Sequence, residues 1–410
     1  MPNLSRQAMG TKEFVALMAT IMSVIALSID AILPALVIIG EDLSIDQPNN
    51  VQFIISAIFA GMAVGQLICG PLSDALGRKR LLIISFLAYL VGSVICLSAR
   101  SFEYLLVGRL LQGFAAAGPY VSTLSIVRDR FQGSAMARMM SFVMTIFIMV
   151  PVIAPSIGQL ILYFASWRYI FLLLFCYGCG ILLWTVFRLE ETLPVEQRIP
   201  FTLENFTAGV TTVFSNRNTV CYLLCSGLVM GMLIGYLNSC LQVFQDLYAV
   251  GKEFALYFGG LAFTLGLASL FNAQIVQRSN PHTICSTSLK VVVGASGIFI
   301  LILSYASAPL WLFIMYMSVL FFCFGLLFGN LNALAMEPMG HIAGLASAII
   351  GALSFIVSIT AGTMIGQYYD FTLFPLTTGF LVLSVMALCL LYWAKSPTPE
   401  ETENEQIQES

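Results

Sequence analysis

Long apolar runs alternate with short polar connections along nearly the whole chain. Each run holds about 20 residues, the length that an α-helix needs to cross the hydrocarbon core of a bilayer. Windows of this length predict twelve transmembrane helices and therefore an all-α membrane protein. The predicted spans cover residues 14–37, 51–70, 81–99, 104–127, 138–162, 167–188, 219–245, 254–277, 287–305, 309–335, 343–368 and 375–394.

The longest internal connection, residues 189–218, is the only central stretch polar enough to lie outside the membrane at length. It divides the chain into six spans within residues 1–188 and six within residues 219–395. Two similar six-helix bundles with a substrate site between them are a pattern of transporters. Residues 396–410 form an acidic tail without an apolar face, which we expect to be disordered.

Basic residues are distributed unequally between the two sides of the predicted bundle. Fourteen lysines and arginines fall on the side that holds both termini, three fall on the other side, and Arg109 lies inside a helix. Because cytoplasmic loops collect basic residues, both termini and the linker at 189–218 are predicted to be cytoplasmic.

Composition narrows the class of protein. Hydrophobic residues make up 59% of the chain and charged residues only 10%, and the mean hydropathy is +0.92. Soluble domains carry about a quarter charged residues. These values exclude a soluble enzyme, a nucleic-acid binder and a disordered chain, and they make the lipid bilayer the expected surroundings.

Several kinds of chemistry are not expected. Nine of the ten cysteines lie in apolar runs, where thiols behave as small hydrophobic groups, so we predict no disulfide framework and no metal site. The chain has no phosphate-binding loop and no intramembrane pair of nucleophile and base. We therefore expect neither an ATP-driven pump nor an enzyme, and no cofactor.

The connection between the second and third spans combines glycines, one acid and three adjacent cations. It reads Gly-Pro-Leu-Ser-Asp-Ala-Leu-Gly-Arg-Lys-Arg over residues 70–80. Gly70 and Gly77 permit a tight reversal, and Asp74 can pair with Arg78 or cap a helix N-terminus. The alternative is a basic turn that only sets topology.

This connection resembles the loop motif of the major facilitator superfamily, and other segments extend the resemblance over nearly the whole chain. Residues 106–113 in span 4, with Arg109 inside the helix, are similar to a second family motif. Residues 151–158 in span 5 resemble the antiporter motif of the exporter branch, although Ala154 and Gln159 replace two of its glycines. The residues expected to bend helices are Pro34, Pro151, Pro155 and Gly158.

Further segments resemble the Bcr/CflA-type drug:proton antiporters in particular. They lie at residues 30–36 in span 1, at 167–171 and 190–193 around span 6, and at 335–338 and 344–348 between spans 10 and 11. One departure concerns span 7. Such proteins usually show a Ser-Pro step near its outer end, whereas here Cys240 follows Ser239, so this span is expected to be straighter.

The resemblance implies a major facilitator fold and a bacterial inner-membrane exporter that exchanges protons for small amphipathic drugs or metabolites. One alternative is an importer or facilitator of a small metabolite or metal chelate on the same fold. Another is a membrane receptor or assembly protein that does not transport. Because the site of such a fold lies within one chain, we expect a monomer whose partners are protons, the small molecule and lipid.

Two charged residues lie deep within predicted spans, where a charge costs about 2.5–3.5 kcal/mol on insertion scales. Asp30 is expected to carry the proton, and Arg109 is the one intramembrane cation expected to act on it. Pro34 removes the backbone hydrogen bond to the carbonyl of Asp30, which predicts a local hinge. The alternatives are an aspartate that reaches the outer headgroups and an arginine that bonds backbone carbonyls.

Span 7 carries two patterns. Gly227, Gly231, Gly235 and Ser239 recur at every fourth residue, which predicts close packing against another helix. Asn238, Gln242 and Gln245 share one face, which lines a cavity or bonds a neighbouring helix. The residues predicted to line a substrate cavity are Phe53, Gln112, Tyr120, Tyr236, Asn238, Gln242 and Tyr257.

The loop motif also predicts a cytoplasmic latch between the two bundles. Arg78 is expected to pair with Asp129, and Asp74 to face the start of span 11 near Gly344, where unpaired amides carry partial positive charge. The alternative is a set of surface charges worth about 0–1 kcal/mol. The residues assigned to this latch are Gly70, Asp74, Gly77, Arg78, Arg128 and Asp129.

Overall fold

Every regular element of the described residues is helical. The computed structural model describes residues 9–198 and 202–394. The helices before residue 199 are α1 (Thr11–Asp30), α2 (Leu36–Asp42), α3 (Phe53–Leu76), α4 (Arg78–Leu97), α5 (Phe102–Arg130), α6 (Gly133–Phe164) and α7 (Arg168–Arg188). The later helices are α8 (Leu203–Ser215), α9 (Arg217–Gln242), α10 (Phe254–Ile275), α11 (Pro281–Tyr305), α12 (Leu310–Met336), α13 (Ala343–Gln367) and α14 (Phe374–Trp393).

Short helical turns connect or extend several of these helices. The 3₁₀ turns are Leu33–Ala35, Pro48–Gln52, Val195–Gln197, Gly251–Glu253 and Glu337–Ile342. A π-helical segment, Val243–Leu247, continues α9 and begins three residues after Cys240. Such π segments are rare and often lie at functional sites.

Eleven stretches of the described chain are long and apolar enough to cross a bilayer. The first of them joins α1 and α2 into Thr11–Asp42. The remaining predicted span corresponds to α6, whose described apolar part, Met149–Phe164, rises only about 24 Å. The complete helix α6 has 32 residues and a length of about 48 Å. The structure is therefore that of an all-helical, multi-pass membrane protein.

Large apolar side chains cover the outside of the helices. Val91, Leu183, Ile298 and Leu301 each expose more than half of their surface. In water, contiguous apolar surface of this kind would drive association. In a bilayer it contacts lipid chains, which explains why residues this hydrophobic remain outside the core.

The small-residue ridge of α9 packs against α13, which confirms the interpretation from its four-residue spacing. A Cβ atom at Gly227 would lie 2.7 Å from Cβ of Val357, and one at Gly231 would lie 2.9 Å from Cβ of Ala361. The two backbones approach so closely that a larger side chain at either glycine would force them apart.

Two helix pairs carry most of the contact between the N-terminal helices (α1–α7) and the C-terminal helices (α9–α14). They are α3 with α13 and α6 with α10. Helices α3 and α13 lie side by side over their full length. Gln52 is beside Gly366 at one end, and Asp74 is beside Gly344 at the other.

The central connection contains a helix that the polar composition did not predict. Helix α8 packs on α13 and α9, and its Gly209 lies against Leu345 and Ile349. The connection therefore packs against the C-terminal helices. Residues 199–201 within it, and the predicted acidic tail at 396–410, lie outside the described residues.

Candidate functional site

The first membrane-crossing stretch is broken immediately after Asp30. Helix α1 ends at Asp30, a 3₁₀ turn covers Leu33–Ala35, and α2 begins at Leu36. Pro34 has no N–H to donate to the carbonyl of Asp30, so the backbone hydrogen bonds of the α-helix stop at this residue. The break lies at the hinge that Pro34 predicted.

Asp30 is buried at this break, with only 4% of its surface exposed. Among the described residues its carboxylate has no hydrogen-bond or ion-pair partner. It lies within electrostatic range of Tyr236 and Cys240 on α9, and the turn that follows it contacts the same helix. An aspartate that reaches the outer headgroups does not fit this burial.

The motif in α6 reaches the same break. A Cβ atom added at Gly158 would collide with the carbonyl oxygen of Ala31, the residue after Asp30. Only a glycine permits this approach. Helix α6 runs through Pro151 and Pro155 without interruption, so these prolines do not end the helix.

Arg109 is fully buried in α5 and holds the end of α1, but it does not pair with Asp30. It donates to the backbone carbonyls of Ser28 (2.9 Å) and Ile54 (3.1 Å) and to the side-chain oxygen of Gln112 (3.2 Å). The expectation that Arg109 acts directly on the carboxylate of Asp30 is therefore corrected. The structure agrees with the alternative interpretation, in which the arginine bonds backbone carbonyls.

Gln112 belongs to this arginine network and not to a cavity wall. Its oxygen accepts from Arg109, and its nitrogen donates to the hydroxyl of Ser93 at 2.9 Å. With both ends bonded in a fully buried position, Gln112 orients the guanidinium. Its prediction as a cavity residue is corrected accordingly.

A cluster of neutral polar residues, which we call the amide cluster, joins α3 to α9 and α13 at the end remote from the 70–80 loop. Gln52 donates to Gln242 at 2.6 Å, and Gln242 donates to Asn49 at 3.0 Å. Asn49 in turn donates to the carbonyls of Gln367 (3.1 Å) and Tyr369 (2.9 Å).

About one turn further along α3, the amide cluster continues with a second set of contacts. Asn238 donates to Ser56 at 3.2 Å, and the hydroxyls of Ser56 and Thr363 are 2.9 Å apart. Asn238 and Gln242 were open to two roles, cavity lining or interhelical bonding. In this structure they bond the N-terminal helices to the C-terminal helices.

Aromatic side chains surround Tyr236. Its ring centroid lies 6.0 Å from that of Phe258 and 5.0 Å from that of Phe321, and its buried hydroxyl has no partner in the described residues. Tyr257 stacks on Phe244 at 5.9 Å in the neighbouring part of the same helices.

The two aromatic candidates from the N-terminal helices lie elsewhere. Phe53 and Tyr120 are partly buried, on α3 and α5. Within the described part of the chain, no ring contact joins either of them to Tyr236. The predicted cavity residues therefore do not form one continuous group.

The loop at 70–80 is built around Arg78. Gly77 has a φ of +99°, a conformation that favours glycine, and it allows α4 to start immediately after α3. The guanidinium of Arg78 bonds Asp74 at 2.5 Å and Asp129 at 3.0 Å. The predicted pair of Arg78 with Asp129 is thus present.

Asp74 also faces the start of α13. Its Oδ2 atom lies 3.5 Å from the position that a Cβ atom would take at Gly344, and Gly70 packs against Ala348. These contacts join α3 to α13 as the motif predicted. Arg128 is exposed and takes no part in them, so its assignment to the latch is corrected.

Sequence reasoning missed that residues of the central connection complete this cluster. Glu191 accepts from the backbone N–H of Arg78 at 2.8 Å, which caps the N-terminus of α4, and Thr192 donates to Asp129 at 3.1 Å. The segment Glu-Glu-Thr-Leu at 190–193 was noticed only as part of a resemblance. No local signal could have found this cap, because Glu191 lies more than a hundred residues after the start of α4.

Charged pairs also fasten both ends of the first span to α7. Glu13 accepts two hydrogen bonds of 2.7 Å from Arg188, and Asp42 accepts from Arg168 (2.7 Å) and Trp167 (3.0 Å). The Trp-Arg pair at 167–168 therefore has a structural role at the end of α2.

A helical bundle with a broken first span, a buried acid beside it and polar contacts between two sets of helices is typical of secondary transporters. The model of one family, described as the Major Facilitator Superfamily, matches residues 17–363. The chain belongs to this superfamily, whose members are transporters and not enzymes.

Three similar proteins come from bacteria. A Bacillus subtilis protein named uncharacterized MFS-type transporter YdgK is 32% identical over 346 residues, covering 83% of this chain and 85% of the relative. The Bicyclomycin resistance protein homolog of Haemophilus influenzae is 26% identical and covers 94% of this chain and 97% of its own. Multidrug resistance protein MdtL of Klebsiella pneumoniae is 25% identical, with coverage of 93% and 95%.

Solved structures share the fold at low identity. The human organic anion transporter MFSD10 (TETRAN) has a TM-score of 0.68 at 14% identity, covering 94% of this chain and 99% of its own. A bacterial homolog of the human lysosomal transporter Spinster, inward-facing and occupied, has a TM-score of 0.67 at 13% identity, with coverage of 94% and 98%. The family model and the named sequence relatives therefore support the resemblance to drug:proton antiporters, and the solved structures show the major facilitator fold.

Proposed function

We propose that this protein is a proton-coupled exporter of small amphipathic drugs or metabolites in the bacterial inner membrane. The observation that carries the proposal is Asp30, a buried acid at a helix break that faces α9, with no bonded partner among the described residues. The names of two relatives, a Bicyclomycin resistance protein homolog and a Multidrug resistance protein, support export.

The proposed topology has twelve crossings in two six-helix bundles, residues 1–188 and 219–395, joined by a cytoplasmic linker at 189–218. Helix α6 is long enough to supply the twelfth crossing. The excess of basic residues on the side of the 70–80 loop supports cytoplasmic termini. In this orientation the amide cluster lies at the periplasmic end of α3.

Asp30 is the proposed proton carrier. An ionised carboxylate without a partner is expensive in a buried site, whereas the protonated acid is tolerated. When the site opens to water, hydration stabilises the ionised form again. A side chain whose preferred charge state changes with access can bind a proton on one side and release it on the other.

The contacts of α3 with α13 are the proposed gates. The amide cluster closes the periplasmic end, and the contacts of Asp74 and Arg78 close the cytoplasmic end. Transport requires that one set breaks while the other persists. Substrate is proposed to bind between these ends, near Asp30 and the rings around Tyr236.

Arg109 supports the carrier without touching it. By holding the carbonyl of Ser28 it fixes the last turn of α1, and Gln112 fixes the guanidinium. The carboxylate of Asp30 is thereby kept at one place while its surroundings change. Arg109 is a positioning residue in this mechanism.

The driving force is sufficient for export. One proton that moves inward down a potential of 100 mV supplies about 2.3 kcal/mol. This free energy supports about 50-fold accumulation of a neutral substrate for each proton exchanged.

The test is proton flux in everted membrane vesicles that contain the purified or overexpressed protein. Addition of a transported compound from a broad panel should dissipate a preformed pH gradient, and the compound should accumulate inside. Asp30→Asn should abolish this coupled uptake while some binding of a neutral compound remains. Asp46→Asn, which removes an exposed carboxylate, is the matched control and should transport normally.

Full coupled export by Asp30→Asn would remove Asp30 from the mechanism. Compound movement in the opposite direction would favour the importer or facilitator. If no compound in the panel produces proton flux, the receptor or assembly protein is favoured instead.

A further inference from the structure

A cavity of about 420 Å³ opens beside the 70–80 loop, outside the proposed transport path. Its walls come from the end of α3, the first turns of α4 and the central connection. Three basic side chains and three apolar ones line it: Lys79, Arg80, Arg198, Leu76, Ile83 and Ile84. The transport mechanism uses none of them.

The lining residues are arranged by depth. Helix α4 begins at Arg78, so Lys79 and Arg80 lie in its first turn. Ile83 and Ile84 lie about 6 Å further along the helix axis. Ile84 is 48% exposed and faces the outside of the bundle. In the proposed topology, Lys79 and Arg80 therefore lie closer to the lipid headgroups, and the isoleucines closer to the acyl chains.

The charge of the cavity is positive. Glu191 is its single acid among the described lining residues, and one oxygen of Glu191 already accepts from the N–H groups of Arg78, Thr192 and Leu193. The other oxygen lies 4.0 Å from Arg198. This carboxylate is occupied by protein donors, so it offers little to the ammonium group of a zwitterionic lipid.

The donors of the cavity are held in place. Lys79 donates to the carbonyl of Val186 at 3.0 Å, which fixes its ammonium group at the rim. The Nε–H of Arg198 is buried and has no acceptor within the described residues. The Arg198 side chain as a whole is 23% exposed, so its guanidinium can donate to an oxyanion that enters the cavity.

We propose that this cavity binds the phosphate of an anionic glycerophospholipid of the cytoplasmic leaflet. Lys79, Arg80 and Arg198 hold the phosphate, while Leu76, Ile83 and Ile84 contact the start of the acyl chains. Basic pockets at the cytoplasmic ends of transmembrane helices suit such headgroups. The choice of leaflet rests on the proposed topology, but the binding itself requires no transport.

The experiment measures lipid binding to the purified full-length protein in detergent by native mass spectrometry. The probes are phosphatidylglycerol, phosphatidylethanolamine and inorganic phosphate. Wild-type protein should retain phosphatidylglycerol in preference to phosphatidylethanolamine. The double variant Lys79→Gln with Arg80→Gln should bind phosphatidylglycerol about 30-fold more weakly, since each cation contributes about 1 kcal/mol.

Two variants make this result specific. Arg278→Gln with Lys290→Gln removes two exposed cations elsewhere on the same side of the protein and should bind like wild type. Lys79→Arg with Arg80→Lys keeps the charge and should retain the lipid, which separates a lost site from a misfolded protein.

Equal retention of the two lipids, or an unchanged affinity in the double glutamine variant, would overturn the proposal. Millimolar inorganic phosphate is also tested as a competitor of bound phosphatidylglycerol. If it displaces the lipid as effectively as added phosphatidylglycerol does, the cavity is a free-phosphate site and not a lipid site. Because the assay contains no substrate and no pH gradient, its outcome is independent of the vesicle test of Asp30.

Discussion

Gln242 offers the sharpest test of the proposed periplasmic gate. It is 5% exposed and joins α9 to α3 through two hydrogen bonds, one from Gln52 at 2.6 Å and one to Asn49 at 3.0 Å. The change Gln242→Leu introduces an apolar side chain of similar size and removes both bonds. If these bonds hold the gate closed, the variant should spend more time open at the periplasmic side.

The magnitude follows from the two bonds. A buried hydrogen bond contributes about 0.5–1.5 kcal/mol net, and a stranded buried partner costs about 1–3 kcal/mol. In the open state the amides of Gln52 and Asn49 contact water and lose little. We therefore expect a shift of about 2 kcal/mol toward the open state, which is about 30-fold in the ratio of open to closed molecules.

The assay is a distance measurement by double electron–electron resonance. Spin labels at Asp46 and Ser307, both exposed, report on the N-terminal and C-terminal helices at the periplasmic end. The background replaces the two exposed cysteines, Cys176 and Cys389, by serine.

The expected result is a larger fraction of long distances in Gln242→Leu than in the parent protein. Gln47→Leu is the matched control, because Gln47 is an exposed glutamine near the same end of α3. A shift smaller than about threefold, or one equal to that of Gln47→Leu, would refute the assignment of a gate to the amide cluster.

Three further outcomes are expected. Arg109→Lys should lower the melting temperature and impair transport, since one ammonium cannot span the carbonyls that the guanidinium bonds. The control Arg128→Lys changes an exposed arginine and should keep the wild-type melting temperature, so equal melting temperatures of the two variants would argue against the network. Gly158→Val should reduce folded yield on size-exclusion chromatography because its side chain meets backbone, while Gly260→Val, with open space around it, should not; equal yields would contradict the close approach. Asp129→Asn should weaken cytoplasmic closure by up to about 1 kcal/mol and lower the vesicle transport rate severalfold, and an unchanged rate at equal expression would mean that the latch is only a set of surface charges.

Much of the fold could be predicted because a bilayer leaves few choices. Backbone polar groups must be bonded within each crossing segment, so long apolar runs become helices and their positions can be read from hydropathy. The break after Asp30 was visible too, because the missing N–H of Pro34 is a local property of the chain. The pair of Arg78 with Asp129 followed from a motif whose residues lie at two helix ends on the same side.

Other parts depended on partners distant in the sequence. Nothing local shows that Glu191 caps α4, because its partner precedes it by more than a hundred residues. The same limit applied to Arg109. A buried arginine needs acceptors, but the choice between the carboxylate of Asp30 and the carbonyls of Ser28 and Ile54 depends on how α1, α3 and α5 pack.

The sequence by itself determined the membrane environment, the helical class, the place of the central polar connection and the residues able to carry charge within the bilayer. These are properties of short segments, since hydropathy, proline and glycine act over a few residues. Only the tertiary structure decided which of those residues meet. It placed Asn238 and Gln242 in an amide cluster, left Asp30 without a bonded partner among the described residues, and built the basic cavity from α3, α4 and the connection. The reason is physical: a polar group in a low-dielectric interior is governed by the donors and acceptors around it, and helix packing selects them.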